Sequence, residues 1–403
     1  MRISTPSFFE RNLAGMSSLQ QELFRTQQKL GAGTRFLAPS DDPVAAARAL
    51  GVGQSMAETA QYAASRGRAV QSLSIEENAL QSATSILQNV KTLIVQAGNG
   101  TLTDADRASV ATALRSNAAQ LLGVANSDDG NGQFLFAGYR SATAPFVPQA
   151  DGSVQYAGDQ GQRLMQVDVA RQMSAADDGR TVFQSVQGGA GYVTTADPAN
   201  AGTGVFGPVG VTDTAALDDG ADYVISFAGG NYTVSTQGTP AVTVASGPYV
   251  AQAPIVFGGL RISIDGAPAD GDAFQVSAAR NAGTDVFGAI ADLVKALEQP
   301  LAGGGATVRA GLLNALSTAN VKIANAYDNV LTIRSSVGSR MAELDALDTA
   351  ASWRDLVDQS YLSELQDLDY ASAISEFAQR ETSLKATQQT FARLQSIALF
   401  NYL

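Results

Sequence analysis

The sequence predicts a multidomain α+β fold, in which helical segments from both ends of the chain pair and a β-rich domain is inserted between them. Apolar residues recur every seven positions in the first and last thirds of the 403-residue chain. That spacing is typical of coiled coils and helical bundles. From about residue 141 to residue 280 the pattern changes to alternate positions, which favours strands. Each helical third holds an inner and a terminal seam in mirrored order, so we expect the first and last segments to pair.

The terminal seams are the predicted assembly interface. On the first segment the seven-residue line reads Phe9, Met16, Leu23 and Leu30, with a companion line of Leu13, Gln20 and Gln27. On the last segment it reads Tyr370, Phe377, Leu384 and Phe391, flanked by Ile374, Leu394 and Ile397. These apolar side chains are few relative to the backbone entropy lost on ordering both segments. Folding of the termini is therefore expected to require neighbouring copies. The alternative is an intramolecular bundle that covers every stripe by itself.

The inner segments carry longer seams and are expected to fold in the monomer. The sequence Ser40-Asp41-Asp42-Pro43 predicts a helix start, with Ser40 as the N-cap and Pro43 in the first turn. Thr103-Asp-Ala-Asp106 predicts another helix start. The predicted core seam comprises Leu73, Leu80, Leu87, Ile94, Leu316, Ile323, Val330, Val337 and Leu344.

Three domains follow from these patterns. Residues 1–40 with 365–403 form the predicted terminal coiled-coil domain, and residues 41–140 with 281–364 the helical core domain. Residues 141–280 form the inserted β-rich domain, in which Gly229-Gly230 is expected to be the turn of a hairpin. The triplet Asp-Asp-Gly, at residues 128–130, 177–179 and 218–220, predicts turns. The twelve-residue spacing of a calcium loop is absent.

Composition argues against an enzyme. The chain has no cysteine and no histidine, which excludes thiol and imidazole nucleophiles, histidine bases and the usual zinc ligand sets. No carboxylate pair stands out, so we expect no catalytic residue, no cofactor and no metal. The net charge of −12, with no run of Lys or Arg, argues against nucleic acid and anionic membranes as partners. Neither a cleavable signal nor a membrane span is predicted.

Several motifs in this order resemble the flagellin superfamily, over about two-thirds of the chain. Residues 30–43, LGAGTRFLAPSDDP, are similar to the amino-terminal motif of its junction-type members, in which proline follows the paired acids. Residues 131–138, NGQFLFAG, resemble the exit from the helical core, and residues 334–340, RSSVGSR, resemble the returning core helix. Residues 399–403, LFNYL, match the ending of junction-type members better than that of filament flagellins.

The resemblance implies a structural subunit of the bacterial flagellum that lies outside the cell after type III export, without a cleaved signal peptide. It implies a homo-oligomeric ring between the preceding hook-associated protein and the first flagellin layer. It also implies an export chaperone that holds the carboxy-terminal helix. Such a ring would act as a mechanical adaptor.

Three other functions remain open at this point. A filament flagellin would polymerise without limit, whereas a secreted coiled-coil adhesin would bind a host surface through residues 141–280. An enzyme hidden in the insertion is the least favoured. Trp353 is expected to be a packed helix anchor rather than a platform for a ligand.

Overall fold

The structure is a computed structural model and describes residues 5–150, 152–187, 189–217, 220–238, 240–282, 285–301 and 303–400. Side chains are described within residues 10–393 of these ranges. The helices in the described chain are α1 (Thr5–Ala32), α2 (Pro43–Ala97), α3 (Asp104–Ala125), α4 (Gly179–Phe183), α5 (Val286–Glu298), α6 (Gly305–Gln366) and α7 (Tyr370–Phe400). None of them is both long enough and apolar enough to cross a membrane.

The strands of the described residues all lie between α3 and α5, as the alternating pattern predicts. They are β1 (Phe146–Pro148), β2 (Val154–Tyr156), β3 (Leu164–Asp168), β4 (Arg171–Ser174), β5 (Tyr192–Ala196), β6 (Val205–Phe206), β7 (Gly210–Val211), β8 (Tyr223–Ala228), β9 (Asn231–Thr236), β10 (Thr243–Pro248), β11 (Pro254–Phe257), β12 (Leu260–Asp265) and β13 (Ala273–Ala278). An antiparallel sheet has the order β10-β9-β8-β13-β5. Strand β12 pairs with β11, β6 and β7, whereas β1-β2 and β3-β4 are separate ribbons. The predicted α+β class is confirmed.

The chain forms two compact units, residues 1–64 with 346–403 and residues 65–345. In the second unit all nine residues of the predicted core seam are buried: Leu73, Leu80, Leu87, Ile94, Leu316, Ile323, Val330, Val337 and Leu344. Helix α5 packs against α3. On β8 the inward residues alternate, so that Tyr223, Ile225 and Phe227 join the apolar core of the β-rich part.

Local signals explain several element boundaries. Thr103 caps α3 in a reciprocal capping box with Asp106. The β8–β9 hairpin turns at Gly229 and Gly230, whose φ angles of 58° and 75° suit a type I′ turn.

The Asp-Asp-Gly triplets have different outcomes. At 128–130, Asp128 Oδ1 accepts a hydrogen bond from the Gly130 N–H, as a turn requires. At 177–179 the turn prediction is wrong, because Asp178 is the N-cap of α4 and accepts from the Thr181 N–H. Asp218 and Asp219 of the third triplet lie outside the described residues.

Candidate assembly surface

Helices α1 and α7 pack antiparallel in the first unit, around a polar contact. Arg380 Nη1 donates to the Glu22 carbonyl oxygen at 3.1 Å and to Thr26 Oγ1 at 3.2 Å. Arg380 Nη2 also pairs with Glu376 on its own helix, at 2.5 Å. Thr26 is 4% exposed, so this contact lies inside the seam. A polar group at one seam position defines the register of a helix pair.

The predicted first line of α1 faces this seam, with Met16, Leu23 and Leu30 half-buried. The predicted companion line does not, because Gln20 and Gln27 are exposed and Leu13 is 56% exposed. Leu19 and Thr26, three positions after members of the first line, are turned inward instead. On a helix, the residues three and four positions after a given residue both lie near its face. In α1 the residue three positions later is covered and the residue four positions later is exposed.

On α7, Leu384 is buried, and Phe377 and Phe391 are half-buried. Tyr370 and Ile374 are 53% and 56% exposed. Ala373 takes the buried position next to Ile374. The predicted residues Phe9, Leu394 and Ile397 lie outside the residues whose side chains are described.

A short loop after α1 holds the two halves of this unit together. Gly33 ends the helix with a φ of +70°, a conformation that glycine adopts without strain. Thr34 then forms an antiparallel bridge with Asp367. The Arg35 N–H donates to the Gln366 carbonyl at 2.8 Å, and the Leu368 N–H donates to the Gly33 carbonyl at 3.0 Å. The loop is thereby joined to the connection between α6 and α7.

The paired acids close the loop. Asp41 Oδ2 accepts from the Leu37 N–H at 3.0 Å, and Asp41 Oδ1 pairs with Arg25 at 2.5 Å. The Leu37 hydrogen bond is the main cause that lowers the pKa of Asp41 below its ordinary 3.8.

The predicted N-cap of α2 is wrong by two residues. Asp42 Oδ1 accepts from the Ala45 N–H at 3.0 Å, whereas Ser40 is exposed in the preceding turn. Pro43 is the first helical residue, where its missing N–H is not needed. The residue directly before this proline is therefore the cap.

Large apolar side chains are unusually exposed in the first unit. In the described chain those of this unit are Leu13, Phe24, Leu37, Val44, Leu50, Trp353, Leu356, Val357, Tyr361, Tyr370 and Ile374. Trp353 is 69% exposed, so the prediction of a packed anchor is wrong. Trp353, Val357 and Tyr361 are four residues apart on α6, and with Leu356 they form one stripe, here called the α6 ridge.

A groove of about 640 Å³ lies in the same unit. Phe36 and Pro39 of the loop line one part of it, and Ala46, Leu50 and Gly53 of α2 line another. The groove is mostly apolar, and Leu50 is 75% exposed. Sequence periodicity missed both this groove and the α6 ridge, because a heptad line marks apolar positions without showing which of them the chain itself covers.

The described residues contain no group of three Asp, Glu, His or Cys side chains placed to hold a metal ion. The first unit therefore exposes apolar side chains on helices whose packing is fixed by polar contacts. Extended apolar surface of this kind is typical of sites that bind other macromolecules.

Comparisons with known proteins agree with this description. Residues 3–141 match the family model of the bacterial flagellin N-terminal helical region. Flagellar hook-associated protein 3 of Salmonella typhimurium is 30% identical over 400 residues, which cover 99% of this chain and 99% of that protein.

Two solved structures are similar in fold and in sequence. FlgL of Xanthomonas campestris has a TM-score of 0.67 and 28% identity, covering 77% of this chain and 99% of that one. Hook-associated protein 3 of Legionella pneumophila has a TM-score of 0.70 and 25% identity, covering 78% of this chain and 98% of that one. The chain thus belongs to the flagellar hook-associated protein 3 family.

Proposed function

We propose that this chain is a non-catalytic structural subunit of the bacterial flagellum, whose copies form a ring between the hook and the filament. The supporting observation is the large apolar surface of the first unit. Removing apolar area from water contributes about 25 cal/mol per Å² to association. Side chains as large as Trp353, Phe24 and Leu50 contribute little of this while they are exposed in the monomer. Neighbouring subunits would cover them.

The proposed ring acts as a mechanical adaptor. One side of it contacts the preceding hook-associated protein, and the other side contacts the first flagellin layer. Membership of the family supports this role over that of a self-polymerising filament subunit or an adhesin. No described observation favours either of those alternatives.

Domain roles follow from the same proposal. Residues 1–40 with 365–403 are the terminal assembly domain. Residues 41–140 with 281–364 are the helical core, and its segments 41–64 and 346–364 add Leu50 and the α6 ridge to the assembly surface. Residues 141–280 form the outer insertion. We propose that an export chaperone covers the carboxy-terminal helix, including the exposed Tyr370 and Ile374, before the chain leaves the cell without a cleaved signal.

Gene deletion tests the role. Cells that lack this chain should build complete hooks, carry no attached filament and release unpolymerised flagellin into the medium. Normal filaments on these cells would contradict the proposed function. Removing residues 1–40 and 365–403 should leave a folded monomer that does not join the organelle. Loss of the whole fold on this truncation would favour the intramolecular bundle.

Surface variants test the site itself. In the deleted strain, the double variant Trp353→Ser and Leu356→Ser should fold normally and fail to restore filaments. A matched control changes two exposed valines of the other unit, Val250→Ser and Val256→Ser, and should restore them. Restoration of filaments by both double variants would contradict assignment of the α6 ridge to assembly.

A further inference from the structure

The second unit contains a segment that is bound to two helices through one buried and one half-buried arginine. This strap, residues 164–178, comprises β3, β4 and the residues that lead into α4. Arg66 of α2 donates Nη1 to the Val167 carbonyl at 2.9 Å, and Arg340 of α6 donates Nη1 to the Ser174 carbonyl at 3.0 Å. Val167 and Met173 are its buried apolar anchors. The strap is therefore held on both α2 and α6.

Glu76 of α2 lies beneath the end of this strap and is completely buried. Its Oε1 accepts a hydrogen bond from the Asp177 N–H at 3.1 Å. Within the described chain no hydrogen bond reaches its Oε2, which is also buried. An ionised carboxylate in such a place would lack the donors that water normally supplies.

The local charge count also disfavours an ionised Glu76. The charged groups that face it are Asp177 from the strap and Arg340 from α6. Arg340 Nη2 is already paired with Asp177 Oδ2. One guanidinium thus faces two carboxyl groups, and it neutralises only one of them. This arrangement favours the protonated form of Glu76 while the strap is docked.

We propose that the proton on Glu76 is a latch: the strap stays docked on α2 and α6 while Glu76 is neutral, and is released when Glu76 ionises. Burial, and next the negative charge of Asp177, raise the pKa of Glu76 well above its ordinary 4.5. The folded state then binds a proton that the released state gives up. By linkage, docking weakens as pH rises from about 4.5 to the raised pKa of the docked state and does not weaken further above it.

Hydrogen exchange of the full chain tests the latch from about pH 5 to about pH 9. The variant Glu76→Gln keeps the oxygen that accepts from Asp177 and cannot ionise. Dividing the exchange rate of strap amides in the wild type by that in E76Q at each pH removes the intrinsic effect of pH on exchange. The ratio should rise by up to about ten-fold per pH unit until it reaches a plateau.

Two further variants separate the latch from a general loss of structure. Glu77→Gln changes the adjacent carboxylate, which pairs with Arg334, and should keep the rise seen in the wild type. Asp177→Asn leaves Arg340 free to balance Glu76 but keeps the burial, so its ratio to E76Q should level off at a lower pH than that of the wild type. If E76Q fails to fold, the exchange rate of the wild type divided by that of D177N should still rise with pH. Amides of β8 and β9 should stay protected throughout.

Three results would overturn the proposal. The first is a ratio that stays constant with pH. The second is an exchange rate of strap amides in E77Q whose ratio to that in E76Q also stays constant with pH. The third is exposure of β8 and β9 in parallel with the strap, which would mean that the whole unit unfolds.

Discussion

The two compact units use their apolar side chains in opposite ways. Within the described residues, the first unit buries only four alanines and one leucine of its apolar set: Ala45, Ala49, Ala351, Ala373 and Leu384. The second unit buries complete lines of Leu, Ile, Val and Phe. Its exposed large apolar residues are mostly valines, whereas the first unit exposes Phe24, Trp353 and Tyr370.

A similar heptad pattern therefore has a different use in each unit. In the second unit, α2 and α6 seams together with the β-rich part cover one another, so the chain gains stability from its own apolar residues. In the first unit the covered seam is narrow and contains Thr26 and Arg380. Its larger apolar side chains remain exposed, and they form the surface that the proposed neighbouring subunits would cover.

The largest expected effect compares one leucine from each unit. Leu80→Ala removes a side chain with no exposed surface and should lower the free energy of unfolding by about 2–5 kcal/mol, because a cavity remains. Leu50→Ala, at 75% exposure, should change it by less than about 0.5 kcal/mol. Urea unfolding of the full chain measures both. Equal losses of unfolding free energy in the two variants would show that Leu50 packs in an apolar core, contrary to its exposure in the structure.

A second prediction concerns polar contacts inside the second unit. Asn314 of α6 is 4% exposed and accepts from the Phe206 N–H at 3.1 Å while donating to the Gly204 carbonyl at 2.9 Å. Asn314→Ala leaves both backbone groups without a partner and should cost about 2–4 kcal/mol. Asn320→Ala, on the exposed face of the same helix, should be nearly neutral in the same urea experiment. A neutral Asn314→Ala would show that these groups find other partners.

A third prediction tests the corrected start of α2 in the first unit. Asp42→Ala should lower the local stability of the first helical turn by about 1 kcal/mol, and Ser40→Ala should not. Hydrogen exchange of the amides that follow Pro43 should accelerate roughly five-fold in the first variant only. The opposite result would restore Ser40 as the cap.

The smallest expected effect depends on pH. Hydrogen bonds from the Thr103 side chain and backbone lower the pKa of Asp106 below its ordinary 3.8. The ionised form is therefore favoured by folding, and its contribution is present above pH 3.8 and lost as pH falls through the lowered pKa. The melting temperature of Asp106→Asn should lie below that of the wild type at neutral pH and approach it in acid. A gap that widens in acid would contradict this sign.

Sequence reasoning succeeded where a local pattern has one structural solution. The seven-residue lines through Leu73 and Leu316 fall on buried faces. The capping box at Thr103 and the glycine pair at residues 229–230 lie where turn chemistry predicts them. Each of these signals depends on residues near in sequence, so no distant contact decides the outcome.

The failures share a different cause. Ser40, Asp41 and Asp42 are all competent caps, and the ring of Pro43 decides between them through its position. Trp353 lies on a helix, but periodicity does not tell which face of that helix the chain itself leaves uncovered. The sequence does not mark Glu76, because a charged residue on a long helix is usually solvated, whereas here it is buried and its hydrogen-bond partner, Asp177, lies 101 residues later.

The polar contact between α1 and α7 has a consequence for how the ends of the chain find each other. Sliding α7 by one heptad along α1 would bring apolar residues opposite apolar residues again, so hydrophobic contact alone tolerates several alignments. Only one of them gives Arg380 the Glu22 carbonyl and the Thr26 hydroxyl. The two helices would thus reach their correct alignment through these polar contacts. A misaligned pair could separate again, because its apolar contacts alone are weak.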